Sequence, residues 1–429
     1  MSEQKDSTTW FKRFLKTNKT KIIIGISFVL VAISLNVSFI IHQKITPHSY
    51  FINVNDVDRL TNGSTIIQVS ELQTAMQANK GKSARWNCFS GILEVNKEGE
   101  IIWEYVPNAL IHHVDHELIL KNGGYFFCDS FGDAIKFVRK SSKEVEWSYK
   151  IKDINWTKVN SSWGADHYYN LPCEQWNMEE CIDWSHLNDI DFKNYGSWES
   201  MLVSIRNFNL IIEVNYTRAK LRDSAVAEDI IWYYRGALAH QHNPDYLPNG
   251  NIVVVDSDNQ RLIEVNKTTK EIVWEWNHPS LTWPRDCDLM PDNRYLITDI
   301  DKAIIMNRSS GEVLQTFSPF FGGYEADYLE ETDTILVSCG TSGVIFEYDI
   351  TSGKKVWKWG TNVNIQIVYS NCILFLLFEI FWLLVVFQLK AKWRWAIIVI
   401  LTLLIGLGLF IMIAYYQILV KVFVRFING

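Results

Sequence analysis

One phrase recurs six times along this chain of 429 residues. Each copy has two apolar residues, a Glu-Val-Asn step or a variant of it, a turn, and a segment that ends in aromatic residues. The copies begin at Ile92, Ala134, Leu210, Leu262, Ala303 and Val344. A second phrase precedes each copy, most clearly HNPDYLPNGNIVVVDS from His242. Two hairpins make a four-stranded blade, and six blades close into a ring, so we predict an all-β, six-bladed β-propeller over residues 50–360.

Alignment of the repeats predicts the extent of each blade. The six predicted blades are 51–108, 112–150, 184–234, 240–277, 283–318 and 322–360. Asn-Gly pairs predict hairpin turns at Asn62, Asn122 and Asn249. One aromatic residue recurs near the end of each copy, and we expect these residues to pack between blades: Trp103, Trp147, Trp232, Trp274, Trp357 and, near the remaining place, Phe317. Insertions at about 153–183 and 217–228 lie in the third blade.

Three apolar runs predict membrane helices at 22–41, 366–389 and 395–419, each long enough to cross the hydrocarbon layer. The N-terminal residues 1–21 are basic, and so is the loop between the last two runs, so both are expected to be cytoplasmic. No cleavage pattern follows Ile41, which favours an uncleaved signal anchor. We therefore expect a multi-pass protein of the cell membrane with its propeller on the extracytoplasmic side. Glycosylation is then allowed at six Asn-x-Ser/Thr triplets, which begin at Asn62, Asn155, Asn160, Asn215, Asn266 and Asn307.

Charge and cysteine content limit the function classes. The net charge is −7 and no basic stripe is present, which argues against nucleic acid as a partner. The seven cysteines are too scattered for a zinc site or a disulfide framework. Cys173 and Cys181 bracket a short loop, and we interpret them as a candidate disulfide in an oxidising compartment. We expect Cys88, Cys128, Cys287 and Cys339 to be buried in strands.

The residues that differ between repeats indicate a site. Just before each innermost strand, where six blades converge on the channel mouth, the copies carry polar pairs: Asn55-Asp56, Asp115-His116, Asn188-Asp189, His242-Asn243, Arg285-Asp286 and Tyr324-Glu325. His186, His240 and Arg206 lie close to the same positions in the sequence. Imidazole and guanidinium groups together suit a tetrahedral oxyanion. We interpret His112, His113, His167 and His278 as structural.

At these residues the chain resembles the arylsulfate sulfotransferases, six-bladed propellers that work outside the cytoplasmic membrane. The resemblance covers about residues 50–360, and three segments carry it: DWSHLNDIDF from Asp183, SIRNFNLIIEV from Ser204 and HQHNPDYLPNGN from His240. It implies sulfuryl transfer from an aryl sulfate to a phenol by a ping-pong mechanism through a sulfohistidine. No cofactor and no metal are expected.

The resemblance also implies a role for individual residues. His242 corresponds to the nucleophile, and His116 to the acid and base at the phenolic oxygen. His186, Asn188 and Arg206 correspond to residues that hold the sulfuryl oxygens. The family's lysine and threonine have no clear counterpart, and we expect Arg285 to supply positive charge. Asn243, beside His242, is a further candidate for substrate binding.

Two other classes of protein remain open at this stage. The phrase EYDITSGKKVWKWG from Glu347 is similar to the tryptophan-docking motif of pyrroloquinoline quinone dehydrogenases. Six copies and the lack of an acidic metal cluster in the sequence pattern argue against that class. The stronger alternative is a non-catalytic, membrane-anchored propeller that serves as a binding or assembly subunit of a larger membrane complex. The C-terminal helical hairpin would then contact membrane partners.

Overall fold

Six four-stranded antiparallel sheets make up the protein, each formed by four strands that are consecutive in sequence. The computed structural model describes residues 53–70, 90–107, 111–115, 123–163, 169, 183–318, 322–340 and 343–360. All of them belong to one compact unit, Tyr50–Asn362. The first strand of each sheet contacts the first strand of the next, and the last sheet contacts the first. The predicted six-bladed, all-β propeller is therefore confirmed.

The first three blades contain strands β1 to β12. Blade one comprises β1 (Asn53–Arg59), β2 (Thr65–Ser70), β3 (Ser90–Val95) and β4 (Ile101–Tyr105). Blade two comprises β5 (Ile111–Asp115), β6 (Gly124–Asp129), β7 (Ala134–Arg139) and β8 (Val145–Lys150). Blade three comprises β9 (Leu187–Asn194), β10 (Glu199–Ile205), β11 (Leu210–Asn215) and β12 (Ile230–Tyr234).

The last three blades contain strands β13 to β24. Blade four comprises β13 (His242–Tyr246), β14 (Ile252–Asp256), β15 (Arg261–Val265) and β16 (Ile272–Asn277). Blade five comprises β17 (Asp286–Met290), β18 (Arg294–Asp299), β19 (Lys302–Asn307) and β20 (Val313–Phe317). Blade six comprises β21 (Gly323–Leu329), β22 (Thr334–Cys339), β23 (Val344–Asp349) and β24 (Lys355–Gly360). Helical turns at Trp156–Val159 and Tyr216–Ala219 flank blade three.

The two middle strands of each blade form the core because neighbouring blades cover both of their faces. β14 reads IVVVD and is buried throughout, as expected for a strand without a solvent face. The fourth strands are half-exposed, with Ile272 and Val273 of β16 open to solvent. Cys128, Cys287 and Cys339 are buried in strands, as expected, whereas Cys88 lies outside the described residues.

The predicted Asn-Gly turns are confirmed at Asn62 and Asn249. Gly63 and Gly250 have φ values of +81° and +86°, a conformation that favours glycine. The turns close through bonds from Gly63 N to Leu60 O at 2.8 Å and from Gly250 N to Leu247 O at 3.0 Å. Asn122 lies outside the described residues.

The recurring tryptophans join neighbouring blades, as the sequence pattern predicts. Each donates its indole N–H to a backbone carbonyl of the next blade: Trp103 to Lys140, Trp147 to Ala219, Trp232 to Lys267, Trp274 to Arg308 and Trp357 to Lys97. In blade five the equivalent donor is Gln315, whose Nε2 lies 2.7 Å from Ile350 O. Phe317, expected near this place, does pack between blades: it is buried, and its ring centroid lies 5.4 Å from that of Tyr348 in blade six.

The glutamate of the repeated phrase explains a second contact between blades. Glu264 is 1% exposed, and it accepts a hydrogen bond from Tyr295 Oη at 2.9 Å and another from Arg308 Nη2 at 2.5 Å. Glu213 similarly contacts Tyr246 Oη at 2.9 Å and Lys267 Nζ at 2.5 Å. A buried carboxylate is stable only when it is paired and hydrogen-bonded, so each glutamate requires the next blade to be in place.

Blades one and six each consist only of consecutive strands, so no shared sheet joins them. Side-chain contacts between the two blades close the ring instead. Arg59 Nη2 lies 2.6 Å from Glu347 Oε2, and the Arg59 guanidinium lies over the ring of Trp357. Trp359 Nε1 donates to Gly99 O at 3.2 Å. Blade six therefore makes with blade one a glutamate–cation contact like those that blades three and four make with their successors.

No helix among the described residues is long and apolar enough to cross a membrane. The predicted membrane segments 22–41, 366–389 and 395–419, together with the basic residues 1–21, lie outside the described residues. Membrane placement therefore stays a prediction.

The glutamate contact can be tested with Glu264→Gln. We expect the substitution to destabilise the protein by roughly 2 kcal/mol, because it leaves the partly buried Arg308 without its carboxylate. The measurement is chemical denaturation followed by tryptophan fluorescence. Glu271→Gln, at an exposed position of the same blade, is the control and should change stability by less than about 0.5 kcal/mol. Equal effects of the two substitutions would contradict the role given to Glu264.

Candidate functional site

His242 lies at the start of β13, at the channel mouth, and is 3% exposed. Its Nδ1 is 2.7 Å from Ser257 Oγ, and its Nε2 is 2.6 Å from Arg285 Nη1. A guanidinium group can only donate hydrogen bonds, so Nε2 is the acceptor nitrogen and Nδ1 carries the proton that Ser257 accepts. The imidazole is therefore neutral, with the Nε2 lone pair toward Arg285.

Arg206 and Arg285 place two buried positive charges at the same mouth. Arg206 is 0% exposed and Arg285 is 2% exposed. Burial lowers the pKa of Arg206 to about 10, and burial also lowers the pKa of Arg285. The positive charge of Arg285 contributes to the lowered pKa of Arg206. The nearest hydrogen-bond acceptor of Arg206 is Asn207 Oδ1, at 3.1 Å from Nη2. Both groups therefore remain cationic near neutral pH, although no carboxylate of the described part of the chain is hydrogen-bonded to them.

Several N–H groups of these arginines are buried and have no hydrogen-bond partner among the residues that the structure describes. They are Nη1 of Arg206 and both Nε and Nη2 of Arg285. Arg285 is held by aromatic rings, since its guanidinium carbon lies 3.4 Å from the Trp283 ring centroid and 4.5 Å from that of Tyr324. Buried polar groups almost always have partners, so fixed, unused donors of positive charge are typical of an anion site.

His186 stands beside the arginines and forms a pair with an acid. Its Nδ1 is 2.7 Å from Asp183 Oδ2, and the residue is 2% exposed. Burial, followed by the charges of Arg206 and Arg285, lowers the pKa of His186 well below its ordinary value. The ring is therefore neutral near pH 7, with the Nδ1 proton on the Asp183 side and the lone pair on Nε2.

The backbone around His186 is held in an unfavourable conformation. His186 has a φ of +48°, in the left-handed region that a non-glycine residue rarely adopts. Asp133 Oδ1 accepts bonds from Ser185 N at 2.7 Å and Ser185 Oγ at 2.6 Å, while Asn207 Nδ2 donates to Asp183 O at 2.9 Å. His240 and Asn243 also have positive φ values. Strain of this kind concentrates at functional sites, where the surrounding contacts maintain it.

The other expected site residues hold the mouth together. Asn188 Nδ2 donates to Gln241 O at 2.9 Å, next to His242. Asn243 Oδ1 accepts a bond from Cys287 N at 3.0 Å, which links β13 to β17. His240 Nδ1 lies 2.7 Å from Asp258 Oδ2, and Asp258 Oδ1 accepts a bond from Trp283 Nε1 at 3.1 Å. Substrate contacts of Asn188 and Asn243 stay predictions.

The structure brings His242, His186, Asn188, Arg206 and Arg285 to one mouth. His116, Cys173 and Cys181 lie outside the described residues, so the acid–base role of His116 and the disulfide stay predictions.

Sequence reasoning missed Ser257 and Asp183, which contact the two histidines. Ser257 belongs to an Asp-Ser pair that recurs as Asp129-Ser130 in blade two. Because it follows the repeat, a search for residues that differ between repeats does not find it. The Asp183-x-x-His186 spacing was the available signal for the acid–imidazole pair.

No protein-family model and no curated protein matches the chain. Among solved structures, selenomethionine-substituted virginiamycin B lyase from Staphylococcus aureus is 12% identical, with 72% of this chain and 84% of that chain covered and a TM-score of 0.43. A catalytically inactive variant of that lyase with quinupristin is 14% identical, with coverages of 71% and 83% and a TM-score of 0.43. A protein of unknown function from Bacteroides caccae is 13% identical, with coverages of 64% and 90% and a TM-score of 0.42. Such distant likeness carries no weight for function.

The anion site predicts a specific response to inorganic sulfate. We expect sulfate to raise the thermal midpoint of the purified full-length protein. At a sulfate concentration of about one hundred times its Kd, the free energy of unfolding should increase by about 2.7 kcal/mol. Arg206→Met should abolish most of this gain, because it removes one of the two buried cations.

Arg294→Met is the matched control, since Arg294 lies at the other end of the innermost hairpin of blade five from Arg285. Chloride at equal ionic strength measures the general effect of salt. An unchanged sulfate response in Arg206→Met would show that sulfate does not bind at this mouth.

Proposed function

We propose that the protein is a sulfuryl transferase that carries the group from an aryl sulfate to a phenol through a covalent intermediate on His242. The observation that supports this most directly is the pair of buried arginines, with unused N–H donors, beside a neutral histidine. A monoanionic sulfate ester supplies oxygens for those donors and a sulfur atom for the imidazole lone pair. The resemblance of three segments to the arylsulfate sulfotransferases agrees with this chemistry.

Arg285 has two successive tasks in the proposed mechanism. In the free protein, Arg285 Nη1 donates a hydrogen bond of 2.6 Å to Nε2 of His242, so the lone pair of that nitrogen is not available for attack. When substrate binds, this bond passes to a sulfuryl oxygen, and the lone pair becomes available to sulfur. Arg206 Nη1 donates to a second oxygen. Transfer of this kind has a loose transition state, so positioning and charge stabilisation provide most of the catalysis.

The covalent steps balance without a cofactor. The Nε2 lone pair of His242 forms the N–S bond, and the S–O bond to the aryl group breaks with its electron pair on the phenolate oxygen. A phenol then attacks sulfur, and the N–S electron pair returns to Nε2. Ser257 Oγ accepts the Nδ1–H bond throughout and so stabilises the positive charge that the sulfated ring carries.

The proton transfers require an acid and a base. By resemblance, His116 would protonate the departing phenolate and later accept the proton of the incoming phenol, so each cycle restores its protonation state. The lowered pKa of His186 makes it a weak base, and Asp183 fixes the orientation of its neutral ring at the mouth. Membrane anchoring would place the ring outside the cytoplasm, where a donor other than a nucleotide sulfate is needed.

Activity provides the first test. The purified protein should transfer sulfate from 4-nitrophenyl sulfate to phenol, and His242→Ala should reduce the rate by roughly 10³-fold or more. Arg206→Met should reduce it by about 10²-fold through the loss of one oxyanion donor. His278→Asn, which alters a histidine that bonds Ser280 outside the site, should keep full activity. Inactivity toward a panel of aryl sulfates would favour the non-catalytic subunit, and preference for 4-nitrophenyl phosphate would assign the anion site to phosphoryl transfer.

A second test identifies the nucleophile. After incubation with donor alone, mass spectrometry of the intact protein should show one added sulfuryl group, and peptide mapping should place it on His242. The adduct should disappear when phenol is added, because the second half-reaction then proceeds. A label on His186 instead would reverse the roles of the two histidines.

A further inference from the structure

The innermost strands carry two successive rows of mainly acidic residues, which begin at the cationic mouth. The first row contains Asp56, His113, Asp189, Asn243, Asp286 and Glu325. Two residues further along every strand stands an aspartate: Asp58, Asp115, Asp191, Asp245, Asp288 and Asp327. Like charges that converge on one axis repel each other, so this arrangement requires compensating positive charge or bound protons.

His113 is oriented toward the carboxylates of the first row. Its Nε2 lies 3.0 Å from Ile190 O, a carbonyl that can only accept, so Nε2 carries a proton. Its Nδ1 lies 3.3 Å from Asp56 Oδ2 and 3.4 Å from Asp189 Oδ1. A backbone carbonyl that fixes the remote N–H of an imidazole is the usual support of a histidine that ligates a metal.

Asp56, His113 and Glu325 converge closely enough to share one ion. One ligand atom from each residue lies within 4.8 Å of the other two. Asp56 Oδ1 is buried and has no hydrogen-bond partner among the described residues. A cation at the same place would satisfy both carboxylates in their charged form.

Asp189 supplies an independent sign of a missing partner. Its side chain is 5% exposed, and its Oδ2 is buried with no hydrogen bond to any described residue. Its Oδ1 faces His113 Nδ1, so the carboxylate is directed at the cluster.

We propose that Asp56, His113 and Glu325 bind one divalent cation inside the channel, with Asp189 adjacent to it as a fourth carboxylate. Carboxylates with one imidazole favour Mn²⁺ or Zn²⁺ over Mg²⁺ and Ca²⁺, which prefer oxygen ligands alone. Val114 N donates to Asp56 and so orients that carboxylate. Partial exposure of His113 and Glu325 leaves the ion a path from the channel. This site differs from the proposed sulfuryl site and replaces our sequence-based expectation that no metal is bound.

Manganese is the probe for this site, because its electron paramagnetic resonance reports stoichiometry and ligand type. The full-length protein is purified in detergent, treated with EDTA and titrated with Mn²⁺. We expect one equivalent to bind tightly, with electron spin-echo modulation from one imidazole nitrogen. Zn²⁺ should displace the ion, whereas equal Mg²⁺ should not. Mn²⁺ should also raise the thermal midpoint of the unmodified protein, a readout that requires no variant.

Variants separate coordination from general attraction to an acidic channel. His113→Ala should abolish the nitrogen modulation, and Glu325→Gln should weaken binding at least about tenfold. Asp288→Asn removes the same charge from another innermost strand outside the cluster and should bind Mn²⁺ normally. His242→Ala should also bind it normally, so loss of sulfuryl transfer and loss of metal are distinguishable. Absence of stoichiometric binding, absence of nitrogen modulation, or equal weakening in Asp288→Asn would overturn the proposal and leave protons as the compensating charge.

Discussion

A buried glutamate on one blade, bonded to the tyrosine and the cation of the next, is the contact on which the ring depends. Glu213 and Glu264 each hold such a pair, and in blade six Glu347 bonds to Arg59 of blade one. The indole N–H bonds of the outer strands follow the same direction around the ring. Because a buried carboxylate is costly without its partners, each blade is stable only beside its neighbour. The six innermost strands are consequently fixed around one axis.

The arrangement of the six innermost strands around one axis produces two regions of opposite charge along the channel. The mouth contains two buried arginines and two neutral histidines, while the interior contains carboxylates from several blades. In each region some buried polar atoms lack a hydrogen-bond partner among the described residues, namely donors of Arg206 and Arg285 at the mouth and one oxygen of Asp189 inside. Unbonded buried charge costs stability, and it is retained in proteins mainly where a ligand completes it. An anion at the mouth and a cation inside would each complete the nearer set.

The fold was readily predicted from sequence, because strand periodicity and a sixfold repeat are local patterns. The predicted blade four, 240–277, differs by two residues at its start from the observed strands His242–Asn277. Phe317 packs between blades as predicted, whereas Gln315, which supplies the N–H donor of blade five, was not predicted. The site was predicted only in part. Polar residues that break the repeat predicted His242, His186 and Arg285 and included the acids of the first row, whereas Ser257 and the second row of aspartates follow the repeat and were not predicted.

The sequence by itself determined that this chain forms six similar blades, and it named polar residues at the end of the innermost strands. It did so because those features depend on neighbours only a few residues away. Only the tertiary structure decided that Arg285 contacts His242, 43 residues apart, and that His113 faces both Asp56 and Asp189. Those contacts lie between blades, and the spacing of blades around an axis is set by the whole ring. The protonated nitrogen of His242 and of His113 follows from the same contacts, and with it the chemistry proposed for each site.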